Sequence, residues 1–198
     1  MSSVHSRSSS PDPVRAALDA AAARIVAAIS DVSAANPVLL IDGRSGAGKS
    51  TLAGLVAARW PLAGRPQVIA MDSLYPGWDG LDAGIERALD GILRPHGRGR
   101  IGTWHRWDWE RKADAESHAV DPALGVILEG CGTITPQTSR IADVTVWVES
   151  PAAARRHRAL GRDGDVFRSH WESWAAQEQA HIDRDDPRGL ADVQVMIP

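Results

Sequence analysis

Short apolar runs alternate along the chain with longer segments in which apolar residues recur at helical spacing. Buried strands are predicted near residues 38–42, 67–71, 125–130, 141–148 and 192–197. Amphipathic helices are predicted over 14–35, 51–60, 81–93, 151–162 and 166–182. Strands that alternate with helices favour parallel pairing, with the crossover helices on both faces of the sheet. The pattern therefore predicts an α/β fold with a doubly wound, parallel, five-stranded sheet.

Length and composition favour a single domain. With 198 residues and 43% hydrophobic content, the chain can bury one sizeable core, and a second independent domain would be cramped. Residues 1–13 are rich in Ser and Pro and predict a disordered N-terminal tail, which leaves 14–198 as the domain. Gly161 and Gly164 indicate a hinge, so we expect a lid-like segment over about 155–165.

Charge and cysteine content narrow the function classes. The formal net charge of -3 gives no basic field, so we do not expect a nucleic acid polymer as partner. The N-terminus lacks the apolar region of a secretion signal, and no apolar run approaches membrane-spanning length. The single cysteine, Cys131, excludes an intrachain disulfide and suits a reducing compartment. We therefore expect a cytoplasmic protein without a membrane partner.

A complete G-x-x-x-x-G-K-[ST] phosphate loop connects the first predicted strand to the second helix. Glycines allow the backbone to wrap around phosphate groups, and the helix N-terminus adds unpaired N–H groups. Lys49 is placed to bind the β- and γ-phosphates, and the Ser50 hydroxyl is placed to ligate Mg²⁺. The predicted nucleotide-binding residues are Gly43, Arg44, Ser45, Gly46, Ala47, Gly48, Lys49, Ser50 and Thr51. The motif in this context predicts a P-loop NTPase.

Two acidic residues lie at the ends of predicted strands. Carboxyl ends of parallel strands line the ligand crevice of an α/β sheet, so Asp72, after the second strand, is placed for chemistry. Its alternative role is a helix or turn cap. Glu129 ends the third strand, where a carboxylate would act on Mg²⁺ directly or through water.

Arginines recur on the helix after the fourth strand. Arg155, Arg158 and Arg162 have the spacing i, i+3, i+7, which places them on one helical face. Such a face is usually solvated, but near a triphosphate its guanidinium groups would donate to phosphate oxygens.

The least regular segment, 94–117, interleaves arginine with tryptophan. Trp104, Trp107 and Trp109 could stack on a base, or they could pack on the domain from a short strand or hairpin. The pattern alone favours neither interpretation.

Beyond these residues, the chain resembles the uridine kinase-like branch of P-loop small-molecule kinases. The resemblance rests on four segments in order: 41–51, Met71-Asp72-Ser73-Leu74-Tyr75, Leu128-Glu129-Gly130, and 155–163. It implies Mg²⁺ and ATP as cofactors, Asp72 as base toward a substrate hydroxyl, and Arg158 and Arg162 as lid arginines. Tyr75, Trp78, Trp107 and Asp108 are the residues expected at the acceptor.

The substrate segment departs from that family. A Tyr-Asp-Phe segment followed by a histidine and an arginine is replaced by Trp107-Asp108-Trp109 and then Glu110-Arg111-Lys112, so the histidine that reads the nucleoside is missing. The expected function is ATP-dependent phosphorylation of a small hydroxylated molecule, a nucleoside or another metabolite. The alternative is a nucleotide-binding regulator with slow or no hydrolysis. No Asn-Lys-x-Asp segment suggests a GTPase, and homo-oligomerisation stays open.

Overall fold

The computed structural model describes residues 12–198, with the side chains of Asp163 and Asp165 left aside. A five-stranded parallel sheet forms the centre, in the order β2-β5-β1-β6-β7. Its strands are β1 (Val38–Asp42), β2 (Gln67–Ala70), β5 (Val126–Glu129), β6 (Val144–Glu149) and β7 (Val193–Met196). Strands β3 (Gly102–Asp108) and β4 (Ala113–Val120) form a separate antiparallel hairpin. The predicted doubly wound fold is confirmed.

Helices cover both faces of the sheet. They are α1 (Pro13–Ser30), α2 (Lys49–Ala58), α3 (Leu81–Ala88), the short α4 (Arg94–His96) and α5 (Ala152–Asp185). A single 3₁₀ turn, Met71–Ser73, follows β2, and a π-helical turn, Leu89–Leu93, joins α3 to α4. Helix α5 is interrupted at Gly164, whose φ of 64° and ψ of -145° are not helical. The predicted hinge thus lies inside a long, broken helix.

Strand β1 shows how the sequence pattern creates two cores. Val38 and Leu40 belong to the cluster shared with α3 and α5, whereas Leu39 and Ile41 belong to the cluster shared with α1 and α2. Successive side chains of a strand point to opposite faces, so an uninterrupted apolar run fits a strand buried on both sides. The run ends at Asp42, and the phosphate loop begins at the carboxyl edge of the central strand.

Some element boundaries differ from the predictions. Helix α1 ends at Ser30 rather than near residue 35, and β6 begins at Val144 rather than at residue 141. Asp12 caps α1 by accepting a hydrogen bond from the Val14 amide, so the helix begins at Pro13, within the predicted tail. Residues 1–11 of that predicted tail lie outside the described residues. Within the part of the chain that the structure describes, no helix is both long and apolar enough to cross a membrane.

Candidate active site

The phosphate loop has a backbone that only glycine fits. Gly43 and Gly46 have φ values of 146° and 78°. A Cβ on Gly46 would lie 2.2 Å from the carbonyl oxygen of Arg155, and one on Gly43 would lie 2.3 Å from that of Val148. Gly48, with a φ of 103°, forms the N-cap of α2. The loop therefore wraps tightly and leaves the amides that begin α2 without side-chain caps, as binding of phosphate requires.

Lys49 lies inside this wrap and is only 7% exposed. Its Nζ donates to the carbonyl oxygens of Gly43 at 2.7 Å and Arg44 at 3.1 Å. Burial alone would lower the pKa of Lys49, but the negative groups around it, Glu129 among them, outweigh burial and raise that pKa. The ammonium group therefore stays charged, as a partner for phosphate oxygens must.

A buried carboxylate fixes the start of the loop. Asp42 is 1% exposed and accepts hydrogen bonds from the amides of Gly43 at 2.6 Å, Gly132 at 3.0 Å and Ile134 at 2.8 Å. His181 Nε2 lies 3.2 Å from Oδ2 of the same carboxylate, the oxygen that also accepts the bond from Ile134. The group thus joins the phosphate loop, the loop after β5 and the C-terminal part of α5.

His181 is held between two carboxylates. Its Nδ1 lies 2.9 Å from Asp185 Oδ2, opposite the contact with Asp42. Burial alone would lower the pKa of His181, but the hydrogen bonds and charges of Asp42 and Asp185 outweigh burial and raise it. Both ring nitrogens of His181 thus lie against carboxylates, and these contacts tie α5 to the base of the loop.

Glu178 brings a second buried carboxylate to the phosphate loop. It is 3% exposed, and its Oε1 accepts a hydrogen bond from the Ser45 amide at 2.8 Å. The Cys131 thiol donates to the same oxygen at 3.3 Å, and burial raises the pKa of that thiol well above its usual range. Trp174 Nε1 donates to Ser45 Oγ at 3.0 Å. The second half of α5 thus contacts the phosphate loop at Ser45 through Trp174 and Glu178.

Ser50 and Glu129 form the predicted metal-facing pair. Ser50 is the second residue of α2 and is exposed, and its hydroxyl group acts on Glu129 to lower the pKa of that carboxyl group. Burial raises the pKa of Glu129, while Lys49 and the Ser50 hydroxyl group act in the opposite direction. In residues 12–198, apart from the side chains of Asp163 and Asp165, no group of three His, Cys, Asp or Glu could hold a metal ion. The pair fits Mg²⁺, which usually takes one or two protein oxygens beside phosphate and water.

The arginines of α5 contact the loop backbone. Arg158 donates to the Gly46 carbonyl at 2.8 Å and to the Pro198 carbonyl at 2.7 Å. Arg155 donates to the Ser45 carbonyl at 3.2 Å. Arg162 is exposed and lines two neighbouring cavities. The predicted arginine face is therefore directed to the phosphate loop.

The smaller of these cavities, about 150 Å³, is the one over the loop. Its lining consists of Gly46, Gly48, Lys49, Ser50, Thr51, Arg158, Ala159 and Arg162. Arginine and lysine side chains around the N-terminus of α2 create a positive pocket, which suits an anionic group.

The larger cavity, about 530 Å³, is mainly aromatic. Its lining consists of Ser45, Asp72, Tyr75, Trp78, Trp109, Arg162, Val166, Phe167 and Trp174. Asp72 is exposed in the 3₁₀ turn after β2, at the carboxyl edge of the sheet where the sequence predicted it. Arg162 and Ser45 connect this cavity to the phosphate loop, so the two cavities form neighbouring parts of one site.

Of the four residues predicted at the acceptor, Tyr75 and Trp78 line the aromatic cavity, whereas Trp107 and Asp108 do not. Trp78 lines the aromatic cavity, and Tyr75 lines it as a buried side chain whose hydroxyl donates to the Cys131 carbonyl at 2.7 Å. Trp107 lies outside the lining of this cavity, under the Arg87 guanidinium, which is 5.7 Å from the ring centroid. Trp109 takes a place in the cavity wall instead.

Asp108 also lies outside this lining and closes the turn of the hairpin. It accepts hydrogen bonds from the amides of Glu110 at 3.0 Å and Arg111 at 2.9 Å. These backbone bonds, chiefly that from Arg111, lower the pKa of Asp108. In this structure its contacts are those of a turn-forming residue.

Sequence reasoning missed the acids and the histidine that α5 contributes to the loop. Trp174, Glu178 and His181 have the spacing i, i+4, i+7 and so occupy one face of the helix. That spacing is the one available signal, because their partners lie far away in the chain. Ser45, for example, is 133 residues from Glu178.

Comparison with known proteins finds solved structures that are similar to this chain. No family model and no curated protein sequence matches the chain. The structure of a possible uridine kinase from Bacillus stearothermophilus is similar at a TM-score of 0.65 and 19% identity, covering 92% of this chain and 98% of that one. A candidate fructose transport system kinase from a Silicibacter species is similar at a TM-score of 0.51 and 18% identity, covering 89% of this chain and 98% of that one.

Both neighbours are P-loop kinase-like structures, and each likeness extends over most of the two chains. Such low identity shows the fold and leaves the substrate open. The shared architecture confirms the resemblance predicted from the four sequence segments. The chain therefore has the P-loop kinase-like fold, with its phosphate loop at the carboxyl edge of the central strand.

Proposed function

We propose that the protein transfers the γ-phosphoryl group of ATP to a hydroxyl group of a small molecule. The observation that carries this proposal is the position of Arg162, which lines both the positive phosphate-loop cavity and the aromatic cavity. A guanidinium group between the two cavities is suited to stabilise charge on a phosphoryl group during transfer.

The donor side fits Mg·ATP on the observations given above. Lys49 is buried and charged, the loop excludes any side chain at Gly46, and the Ser50 hydroxyl group acts on the Glu129 carboxyl group. Lys49 and the amides that begin α2 would hold the phosphates, and Ser50 with Glu129 would hold Mg²⁺. The bound metal would neutralise phosphate charge and orient the transferred group.

On the acceptor side, Asp72 is the group suited to act as a base. Its carboxylate lies in the lining of the aromatic cavity, and the Trp109 indole donates to its backbone carbonyl at 2.9 Å. That bond fixes the backbone of the turn and leaves the carboxylate available to accept the proton of a hydroxyl group.

Acceptor-dependent ADP formation tests the proposal. With Mg·ATP and a panel of nucleosides, sugars and other alcohols, a kinase forms ADP faster when the right acceptor is added. GTP in place of ATP shows the donor preference. Failure of every acceptor to increase ADP formation would contradict the proposal and favour a nucleotide-binding regulator.

Asp72→Asn tests the assignment of the base. Loss of a general base lowers kcat by about 10²- to 10⁴-fold. ATP affinity should stay unchanged, because Asp72 is not in the lining of the phosphate-loop cavity. Asp79→Asn is the matched control, since Asp79 is an exposed acid of the same connection that does not line the aromatic cavity. Full turnover by Asp72→Asn would show that another group accepts the proton.

A further inference from the structure

The aromatic cavity has a polar end and an apolar end. Ser45, Asp72 and Arg162 provide the polar side chains at the phosphate loop. The remaining lining residues are aromatic or aliphatic: Tyr75, Trp78, Trp109, Val166, Phe167 and Trp174. A ligand that fills the cavity therefore meets charge at its reacting end and mostly ring carbon along its body.

Three polar atoms of the aromatic residues already have partners within the protein. Tyr75 Oη donates to the Cys131 carbonyl, Trp174 Nε1 to Ser45 Oγ, and Trp109 Nε1 to the Asp72 carbonyl. These donors would have to break an internal bond to bind a ligand. Trp78 Nε1 is the remaining indole donor of the lining, so ligand recognition along the aromatic walls depends mainly on ring contacts.

The rings also support one another. Trp78 stacks on His170 at 4.5 Å between centroids and on Phe167 at 5.4 Å, and it contacts Trp109 at 4.8 Å. Tyr75 meets Trp174 edge to face at 4.8 Å. A cluster packed in this way presents preformed walls, which lowers the entropic cost of binding a rigid ring.

We infer that the acceptor is an alcohol with a flat, weakly polar ring, rather than a nucleoside or a hexose; this inference rests on the proposed function. The hydroxyl group lies at Asp72, and the ring lies against the indoles of Trp78 and Trp109. A nucleobase has several polar edge atoms, and a hexose has hydroxyl groups all round its ring. Either would leave polar groups unpaired against aromatic carbon, and each such group lowers affinity about tenfold.

Matched acceptors test the inference. Tryptophol and benzyl alcohol represent ring-bearing alcohols, uridine represents nucleosides, and fructose represents hexoses. With Mg·ATP, kcat/KM for tryptophol should exceed that for uridine and for fructose by at least about tenfold, which corresponds to about 1.4 kcal/mol. A higher kcat/KM for uridine or fructose would overturn the inference and leave the proposed function standing.

Binding separates the inference from the activity. Saturation-transfer NMR in the presence of Mg·ADP should show tryptophol bound more tightly than uridine, even if no compound is phosphorylated. Tight tryptophol binding without ADP formation from any acceptor would contradict the proposed function alone. Equal or weaker binding of tryptophol would overturn the inference.

Substitution of Trp109 locates the ring. Trp109→Ser loses the ring and the bond to the Asp72 carbonyl, so it should lower kcat/KM and affinity for tryptophol at least about tenfold more than those for uridine. Trp109→Phe, which loses the bond to Asp72 but keeps a ring, should retain most of the preference. Trp104→Ser is the matched control, because Trp104 lies on the same hairpin but stacks on His118 outside the cavity. Equal effects of the two Ser variants would overturn the assignment.

Discussion

Asp42→Asn tests whether the buried carboxylate holds the phosphate loop to the rest of the domain. Asp42 Oδ1 accepts from the amides of Gly43 and Gly132, and Oδ2 accepts from Ile134 and faces His181. An asparagine keeps only one acceptor oxygen. Its NH₂ group must therefore face either the Gly43 and Gly132 amides or the Ile134 amide and His181. Two bonds to a charged group are lost, each worth about 1.5–3 kcal/mol. We expect the free energy of unfolding to fall by about 3–5 kcal/mol.

Urea unfolding followed by tryptophan fluorescence measures this loss, since the chain contains eight tryptophans. With an m-value of about 2 kcal/mol/M, the midpoint should fall by about 2 M. Asp143→Asn is the matched control, because Asp143 accepts one backbone bond, from the Val38 amide at 2.8 Å at the opposite end of β1. A loss below about 1 kcal/mol, or equal losses in the two variants, would refute this account of Asp42.

Two further predictions concern α5. Glu178→Gln removes a negative charge beside Lys49, so it should lower the free energy of unfolding by about 1–3 kcal/mol and yet tighten ATP binding, because phosphate then meets less repulsion. Thermal unfolding measures the stability and calorimetry measures the ATP affinity. A loss of both stability and ATP affinity would contradict the prediction. The raised pKa of His181 predicts that its contribution to stability is complete below about pH 6.5 and is lost as the pH rises through the folded-state value. Denaturant midpoints across that range should therefore change more in the wild type than in His181→Gln, whereas parallel curves would exclude a charged imidazole between Asp42 and Asp185.

The phosphate-loop part of the candidate site could be predicted from the sequence because its information is local. The phosphate loop requires glycine at particular dihedral angles, and the strand before it and the helix after it are contiguous in the chain. Asp72 and Glu129 could be predicted because strand ends converge at one edge of a parallel sheet. These arguments need the order of the strands but no details of side-chain packing.

The aromatic cavity depends on details of packing that an alternating pattern of apolar and polar residues does not contain. The pairing of β3 with β4 shifts register between His105 and Trp107. The extra residue lies on β4, opposite Arg106, and such an irregularity increases the local twist of a hairpin. Trp107 packs beside Arg87, while Trp109, in the turn beyond the strand, reaches the cavity. Residues of the predicted Trp-rich segment are thus divided between structural and cavity positions.

The contacts that the last third of the chain makes with the phosphate loop could not be predicted from local sequence patterns either. In the sequence, Glu178 and His181 have the pattern of ordinary polar residues of an amphipathic helix. They gain buried partners only because α5 packs against the phosphate loop. The order of the sheet places this helix beside the phosphate loop, but the helix rotation decides which face it presents.

The break in α5 at Gly164 has a consequence for how the protein can change over evolutionary time. Residues before the break, such as Arg158, contact the phosphate loop, and residues after it, such as Phe167 and Trp174, line the aromatic cavity. Gly164 adopts a backbone conformation that is open almost exclusively to glycine. Side chains of the second segment that line the aromatic cavity without contacting the phosphate loop, such as Val166 and Phe167, can therefore change under selection, provided that Gly164 and the loop contacts of Glu178 and His181 are retained.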